Sequence, residues 1–332
     1  MAQLLIDLRG TTLEDDERQW LQSPAVAGVI LFTRNFESTA QLKALIADCR
    51  AAAGRPIVMT VDHEGGRVQR FRGDFTRIPA AGSLLRLAGG NLQVAAFLAW
   101  QAALVMAAEL RALDVDLSYA PVLDLGINQA VIGDRAFSDR PELVARLSAA
   151  YARGMADGGM AACGKHFPGH GHVVEDSHHQ VAVDDRPLDA IEAEDMAPFR
   201  ALIEQGLLGA VMPAHVIFAQ LDGLPASASP YWLKSVLRER LGFRGLVFSD
   251  DLSMKGAGVL GTPAERAHKA AEAGCDLLLC CNDPEVLPSV IAATAQGQRV
   301  DYGPLLGRAP RVGQETIERA RQVLRAVSGA YS

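Results

Sequence analysis

Lysine is scarce in this chain: five lysines accompany 27 arginines, and 39 acidic side chains leave a formal charge of −7. The arginines are scattered and the balance is acidic, so the basic face that neutralises nucleic-acid phosphates is not expected. Cysteine is also sparse. Cys49, Cys163, Cys275, Cys280 and Cys281 are odd in number, include an adjacent pair and sit mostly in apolar runs. That pattern excludes a disulfide framework and predicts small buried hydrophobes in a reducing compartment. No long apolar run is present. The most apolar stretch, 94–108, is interrupted by Gln101 and falls short of the ~20 residues of a membrane span, so a buried helix and no membrane partner are expected. The opening Met1-Ala2-Gln3-Leu4-Leu5-Ile6-Asp7 carries no basic segment of the signal-peptide type, which makes the cytoplasm the expected compartment. Linkers, low-complexity segments and domain-scale repeats are likewise missing.

What is there is ordinary for a globular protein. The 332 residues are 49% hydrophobic and 21% charged, enough to build a core without metals or disulfides. Eight short, largely apolar segments read as strands: 4–8, 28–32, 56–62, 116–120, 161–166, 209–215, 245–250 and 276–281. Continuous apolar runs are typical of parallel strands covered on both faces. Helical patterns lie between them, at 38–53, 91–113, 141–158, 188–205, 230–241 and 263–273. Ser229-Pro230 and Thr262-Pro263 place a capping hydroxyl before a proline at the first helical position. The alternation predicts an α/β fold, a single-domain (β/α)8 TIM barrel spanning 1–332, closed by a C-terminal helix from about Thr316. A second domain is not expected. No Gly-x-Gly-x-x-Gly follows the first strand, which disfavours a dinucleotide-binding sheet.

Barrel enzymes carry their chemistry at the carboxyl ends of strands, and here those ends are polar. The densest cluster is Lys165-His166-Phe167-Pro168-Gly169-His170-Gly171-His172, followed by Glu175-Asp176-Ser177-His178-His179; it holds five of the eight histidines. Two readings stay open: several imidazoles around a metal, or one histidine as general acid/base beside a carboxylate, with Asp176 and His178 two apart. Asp250, closing the seventh strand in Phe248-Ser249-Asp250-Asp251-Leu252-Ser253, can be a nucleophile or an electrostatic stabiliser, or the segment can be a helix cap, and both hold if Asp250 does chemistry while Asp251 or Ser253 caps. In Asp62-His63-Glu64-Gly65-Gly66-Arg67-Val68-Gln69-Arg70, Asp62 can accept from a polyol and Arg70 can donate in a fork, unless the two simply pair with each other. Arg135, in Gly133-Asp134-Arg135, means little alone.

Taken together, these segments and Met212-Pro213-Ala214-His215 resemble glycoside hydrolase family 3, and within it the bacterial cytoplasmic β-N-acetylhexosaminidases of cell-wall recycling. The resemblance runs in order along nearly the whole chain. It implies Asp250 as catalytic nucleophile, His178 as acid/base and Asp176 as its partner. It implies Asp62, Arg70, Arg135, Lys165 and His166 as ligands of the N-acetylglucosamine ring in the −1 subsite. The implied substrate is a small-molecule muropeptide, GlcNAc-1,6-anhydro-N-acetylmuramic acid with or without peptide, cleaved with retention through a covalent glycosyl-aspartate. No metal or cofactor is implied, and a monomer is expected. Many family members draw a glutamate acid/base from a domain after the barrel. This chain ends about fifty residues past the eighth strand, so the histidine-bearing loop is the expected proton donor.

Three rivals frame the expectation. A metal-dependent amidohydrolase would place its His-x-His after the first strand, whereas His170-Gly171-His172 follows the fifth. A sugar-binding protein without activity would need neither Asp250 nor His178. A substrate-assisted route would use Asp250-Asp251 to support attack by the substrate's acetamido oxygen.

Overall fold

The computed structural model describes residues 2–173, 182–295 and 299–329. In chain order, β1 (Gln3–Ile6), α1 (Asp15–Gln22), β2 (Val26–Leu31), α2 (Thr39–Ala53) and β3 (Val58–Val61) lead into a small hairpin, β4 (His63–Gly65) and β5 (Val68–Gln69). Then come α3 (Leu84–Leu87), α4 (Leu92–Arg111), β6 (Leu117–Ser118), α5 (Pro141–Asp157), β7 (Cys163–Phe167), β8 (Ala182–Asp184), α6 (Leu188–Ala193) and α7 (Met196–Glu204). The last part holds β9 (Ala210–Pro213), β10 (Val216–Phe218), a π-helix (Tyr231–Arg240), β11 (Leu246–Val247), α8 (Pro263–Ala273), β12 (Leu277–Cys280), α9 (Leu287–Thr294) and α10 (Gln314–Gly329).

Each of the eight expected segments contains a strand, but the strands do not form the expected closed eight-stranded barrel. They divide into a five-stranded parallel sheet, β12-β1-β2-β3-β6, and a three-stranded parallel sheet, β11-β9-β7. Two pairs stand apart, β10-β8 and the antiparallel β4-β5. Among the described residues the two larger sheets meet at isolated bridges, Val122 with Lys165 and Phe248 with Leu277, and at a few backbone bonds such as Cys163 N to the Ala120 carbonyl and Ser249 N to the Leu277 carbonyl, both 2.7 Å. The physical reason lies at these seams. β6 is two residues long and is followed by Pro121, which has no N–H to donate to a ladder. At the other seam the Val247 N–H goes to the Asp276 carboxylate at 2.8 Å instead of a strand carbonyl.

Inward-facing residues of both sheets nevertheless share one apolar cluster, including Leu5, Ile30, Val58, Tyr119, Met212, Phe248 and Leu279. A second, larger cluster lies between strands and helices. Full burial of each such Leu, Ile or Phe side chain is worth about 1.5–3 kcal/mol. The five cysteines are free and buried, and burial pushes Cys163 and Cys49 up to about 12, which suits packing and not reactivity. Local signals act as expected at several helix starts. Ser38 accepts from Gln41 N, Thr262 forms a capping box with Glu265, and Ser229 Oγ accepts from Trp232 N at 3.2 Å. The segment 188–205 is two helices, because the Glu194–Asp195 junction turns to meet Arg186, whose Nη2 lies 2.8 Å from Asp195 Oδ2. Helix α4 is longer than the stretch 94–108, and its 20 residues are apolar enough to cross a membrane by length and composition. Its buried share and its packing against α5 and α10 mark it as a core helix of this fold.

Candidate active site

The carboxyl ends of the strands surround a cavity of about 440 Å³. Asp62, Arg70, Arg135, Lys165, His166 and Asp250 all line it, so six of the eight side chains expected from the sequence converge there. Asp176 and His178 lie outside the described residues. A larger cavity of about 600 Å³ between α4 and α10 is remote from every strand end that carries chemistry; the smaller one is the site because the reactive groups face it.

One side of the site is a chain of buried ion pairs. Asp62 directly follows β3, and its Oδ1 accepts from Lys165 Nζ at 2.7 Å, while Arg70 Nη2 stands 3.5 Å from Oδ2. Lys165 also donates to Glu64 Oε1 at 2.6 Å. Glu64 in turn takes a fork from Arg135, with Nε and Nη2 each at 2.8 Å. Burial would push both carboxyls up, but the cations outweigh it. Lys165 and Arg70 hold Asp62 below the usual carboxylate range, and Arg135 and Lys165 hold Glu64 far below it. Burial would likewise lower Lys165, yet Asp62 and Glu64 raise it above the ordinary amine value. Lys165 therefore stays charged although its side chain is only 3% exposed.

Next to this chain, His166 presents its ring to the cavity with Nδ1 bound to Asp124 Oδ2 at 2.6 Å. Asp124 is fully buried, and its Oδ1 accepts the backbone N–H groups of His166 and His170. Burial would raise its carboxyl; His166 keeps it lowered. The arrangement assigns the proton on Nδ1 and leaves Nε2 for a ligand. His63 is a different case. It is buried against Phe71 and Phe75, with ring centroids 5.7 and 5.5 Å away. Burial, then the charge of Arg70, pushes it down to about 3, so it packs as a neutral ring.

The opposite side carries Asp250 and Asp251, just past β11. Asp250 lines the cavity and accepts the Asp251 N–H at 2.8 Å. Asp251 acts as a backbone clasp: Oδ1 accepts from Ser253 N at 3.0 Å and Cys281 N at 3.1 Å, and Oδ2 from Ser253 Oγ at 2.7 Å. Burial pushes it up to about 6. His215 fixes the same turn, with Nε2 2.9 Å from the Asp251 carbonyl and Nδ1 2.6 Å from Ser227 Oγ.

Among the described residues the remaining histidines, His170, His172, His215 and His268, are not gathered into one cluster with metal-ligand spacing. Among the described residues, one group has metal-ligand spacing, His172 with Glu194 and Asp195. There Arg186 already holds both carboxylates, at 3.2 Å from Glu194 Oε2 and 2.8 Å from Asp195 Oδ2. A dication would have to displace a guanidinium from the same oxygens, so the donor set fits an ion-pair junction and not a metal.

Sequence reasoning missed the roles of Glu64 and Asp124 and the bond from Cys281 N to Asp251, although it expected Asp251 or Ser253 to cap the backbone. Glu64 was legible in part: it stands two residues beyond Asp62, the spacing that returns a side chain to the same face of an extended segment. Asp124 was visible as a polar strand end, but its pairing with His166 joins segments 42 residues apart and has no local signal.

The sequence model of the Glycosyl hydrolase family 3 N terminal domain matches residues 1–303. A β-hexosaminidase of Glaesserella parasuis is 52% identical over 288 residues, covering 87% of this chain and 83% of that protein. One from Haemophilus influenzae is 52% identical over 291 residues, covering 88% and 82%. Among solved structures, NagZ from Neisseria gonorrhoeae in complex with N-trifluoroacetyl-D-glucosamine superposes with a TM-score of 0.87 at 43% identity, covering 100% of this chain and 98% of that one. The family match runs through every segment that lines the cavity, and the chain belongs to glycoside hydrolase family 3, within its β-N-acetylhexosaminidases.

Proposed function

We propose that this hydrolase removes terminal β-linked N-acetylglucosamine from muropeptides, GlcNAc-1,6-anhydro-N-acetylmuramic acid with or without peptide, in peptidoglycan recycling. The observation that carries the reading is that Asp250 shares one cavity with the Asp62–Lys165–Glu64–Arg135 chain and His166. Charged forks and an imidazole acceptor suit the several hydroxyls of a pyranose. The Neisseria gonorrhoeae relative binds an N-acylated glucosamine, which supports an amino sugar in the same place.

Asp62, Arg70, Arg135, Lys165 and His166 hold the ring. An Asp250 carboxylate oxygen attacks C1, the glycosidic bond breaks, and the departing oxygen takes a proton from the His178 imidazolium, which Asp176 stabilises. In the second half the neutral imidazole removes a proton from water, whose oxygen attacks C1 and releases Asp250. The internal donors that occupy Asp251 favour this route over one in which Asp251 orients the acetamido group. Five buried free thiols support a cytoplasmic setting.

The test is trapping with a fluorinated N-acetylglucosaminyl donor, followed by peptide mapping. Label on Asp250 is the expected result. Label elsewhere, or an inverted product anomer by NMR, overturns the mechanism. Turnover of a GlcNAc-anhydromuramyl substrate, followed by mass spectrometry, tests the substrate independently.

A further inference from the structure

The side chains that would grip the sugar come from one arc of the strand ends. Asp62 follows β3, Arg135 lies in the loop after β6, and Lys165 and His166 sit on β7. Asp250 comes from the far side, after β11. A pyranose held by its distal hydroxyls on the first arc, with C1 at Asp250, points its glycosidic oxygen away from that arc. Past β11 the strand order continues through the Phe248–Leu277 bridge to β12, then β1 and β2.

A second hollow opens there, about 290 Å³ in volume and walled by Asp7, Trp20, Arg34 and Asn282 among others. Asn282 lines this hollow and the main cavity alike. Arg34 organises it. Nε donates to the Leu8 carbonyl at 2.9 Å, Nη1 to Asn282 Oδ1 at 3.1 Å, and Nη2 to Asp7. A guanidinium has five N–H groups, so two remain for a ligand. Its Cζ lies 4.5 Å from the centroid of Phe32, a ring that also lines the main cavity, and the two form one continuous polar and aromatic wall. Charge selects the ligand class. Arg34 is matched by Asp7, and Arg9 by Glu14, Asp16 and Glu17. The hollow therefore offers directed donors without net positive charge, which suits a neutral, hydroxyl-bearing ring better than a free carboxylate.

Building on the hydrolysis proposed above, we propose that this hollow is the leaving-group subsite, where Arg34 and Asn282 hydrogen-bond the sugar on the reducing side of the scissile bond. The test compares two substrates with the same non-reducing residue, N,N′-diacetylchitobiose and 4-nitrophenyl β-N-acetylglucosaminide. The readout is the ratio of their kcat/KM values, disaccharide over aryl glycoside. Arg34→Ala lowers that ratio about tenfold, mainly through the disaccharide KM, as expected for a lost charge-assisted hydrogen bond. Asn282 has φ 61°, a conformation glycine accepts without strain, so Asn282→Gly removes the side chain, keeps the backbone N–H that Asp7 accepts, and lowers the ratio about threefold. This second variant keeps the test decisive if Arg34→Ala loses its fold. Ratios within twofold of wild type in both variants overturn the subsite while leaving the hydrolysis intact. A wild type inactive on both substrates overturns the two together.

Discussion

Two carboxylates at opposite sides of the same cavity are shifted in opposite directions. Glu64, on the side fed by β3 and β7, is held far below the ordinary carboxylate range. Asp251, past β11, is pushed up to about 6. Burial penalises both charges, so burial does not explain the difference; the partners do. Glu64 faces Arg135 and Lys165, and full positive charges outweigh its desolvation. Asp251 faces a hydroxyl and two backbone N–H groups, which orient the carboxylate without matching its charge. One side is a network of full charges, the proposed grip on the ring. The other is a hydrogen-bonded mount that sets the backbone beside Asp250.

The sharpest way to break this comparison is to remove the group the mount serves. Asp250→Asn should lower kcat by roughly a thousandfold or more, with the melting temperature near that of wild type; steady-state assay of an aryl β-N-acetylglucosaminide checks it. On the gripping side, Glu64→Ala leaves Arg135 and Lys165 without their shared partner and should cost about 3–5 kcal/mol of stability, measured by urea unfolding. Glu64→Gln keeps the shape and should raise KM more than it lowers kcat, because ring binding and not bond breaking is lost. Asp124→Asn should lower kcat/KM about tenfold by freeing the His166 tautomer, and the imidazole 15N shifts should report the change.

The comparison also predicts opposite pH slopes of stability. Asp62 and Glu64, lowered in the fold, add stability above their unfolded values near 3.8 and 4.5 and lose it as pH falls through their lower folded values. Asp251, raised in the fold, adds stability below about 3.8 and loses it as pH rises through about 6. Between pH 4 and 6.5, Asp251→Asn should therefore flatten a decline in melting temperature that the wild type shows, and Glu64→Gln should leave that decline in place. The smallest effect is expected far from the site. Thr262→Ala removes the cap of α8 and should cost about 1 kcal/mol with kcat unchanged.

Much of this was legible in residues taken singly or in short runs. Apolar runs such as 277–280 read as strands because short continuous apolar runs are typical of strands covered on both faces. Thr262-Pro263 read as a helix start because the capping hydroxyl and the fixed proline φ act within three residues. Lys165, His166 and Asp250 were legible as polar groups at the ends of apolar strands, whereas Asp62, Arg70 and Arg135 stood out as ligands only through the family resemblance. The sequence predicted a closed barrel, and that the sheet stays divided was not legible, since closure depends on whether particular N–H groups find strand carbonyls. At the seam between β11 and β12 the Val247 N–H finds the Asp276 carboxylate instead.

By itself, then, the sequence determined the order of strands and helices, the burial of the thiols and the identity of the groups at the strand ends, because each follows from local periodicity, turn chemistry and polarity. The tertiary structure decided which of those groups share a charge. Lys165 between Asp62 and Glu64, and His166 on Asp124, unite segments 103 and 42 residues apart, and no local propensity reaches that far. Coulombic pairing depends on distance in space, and only the folded chain sets it.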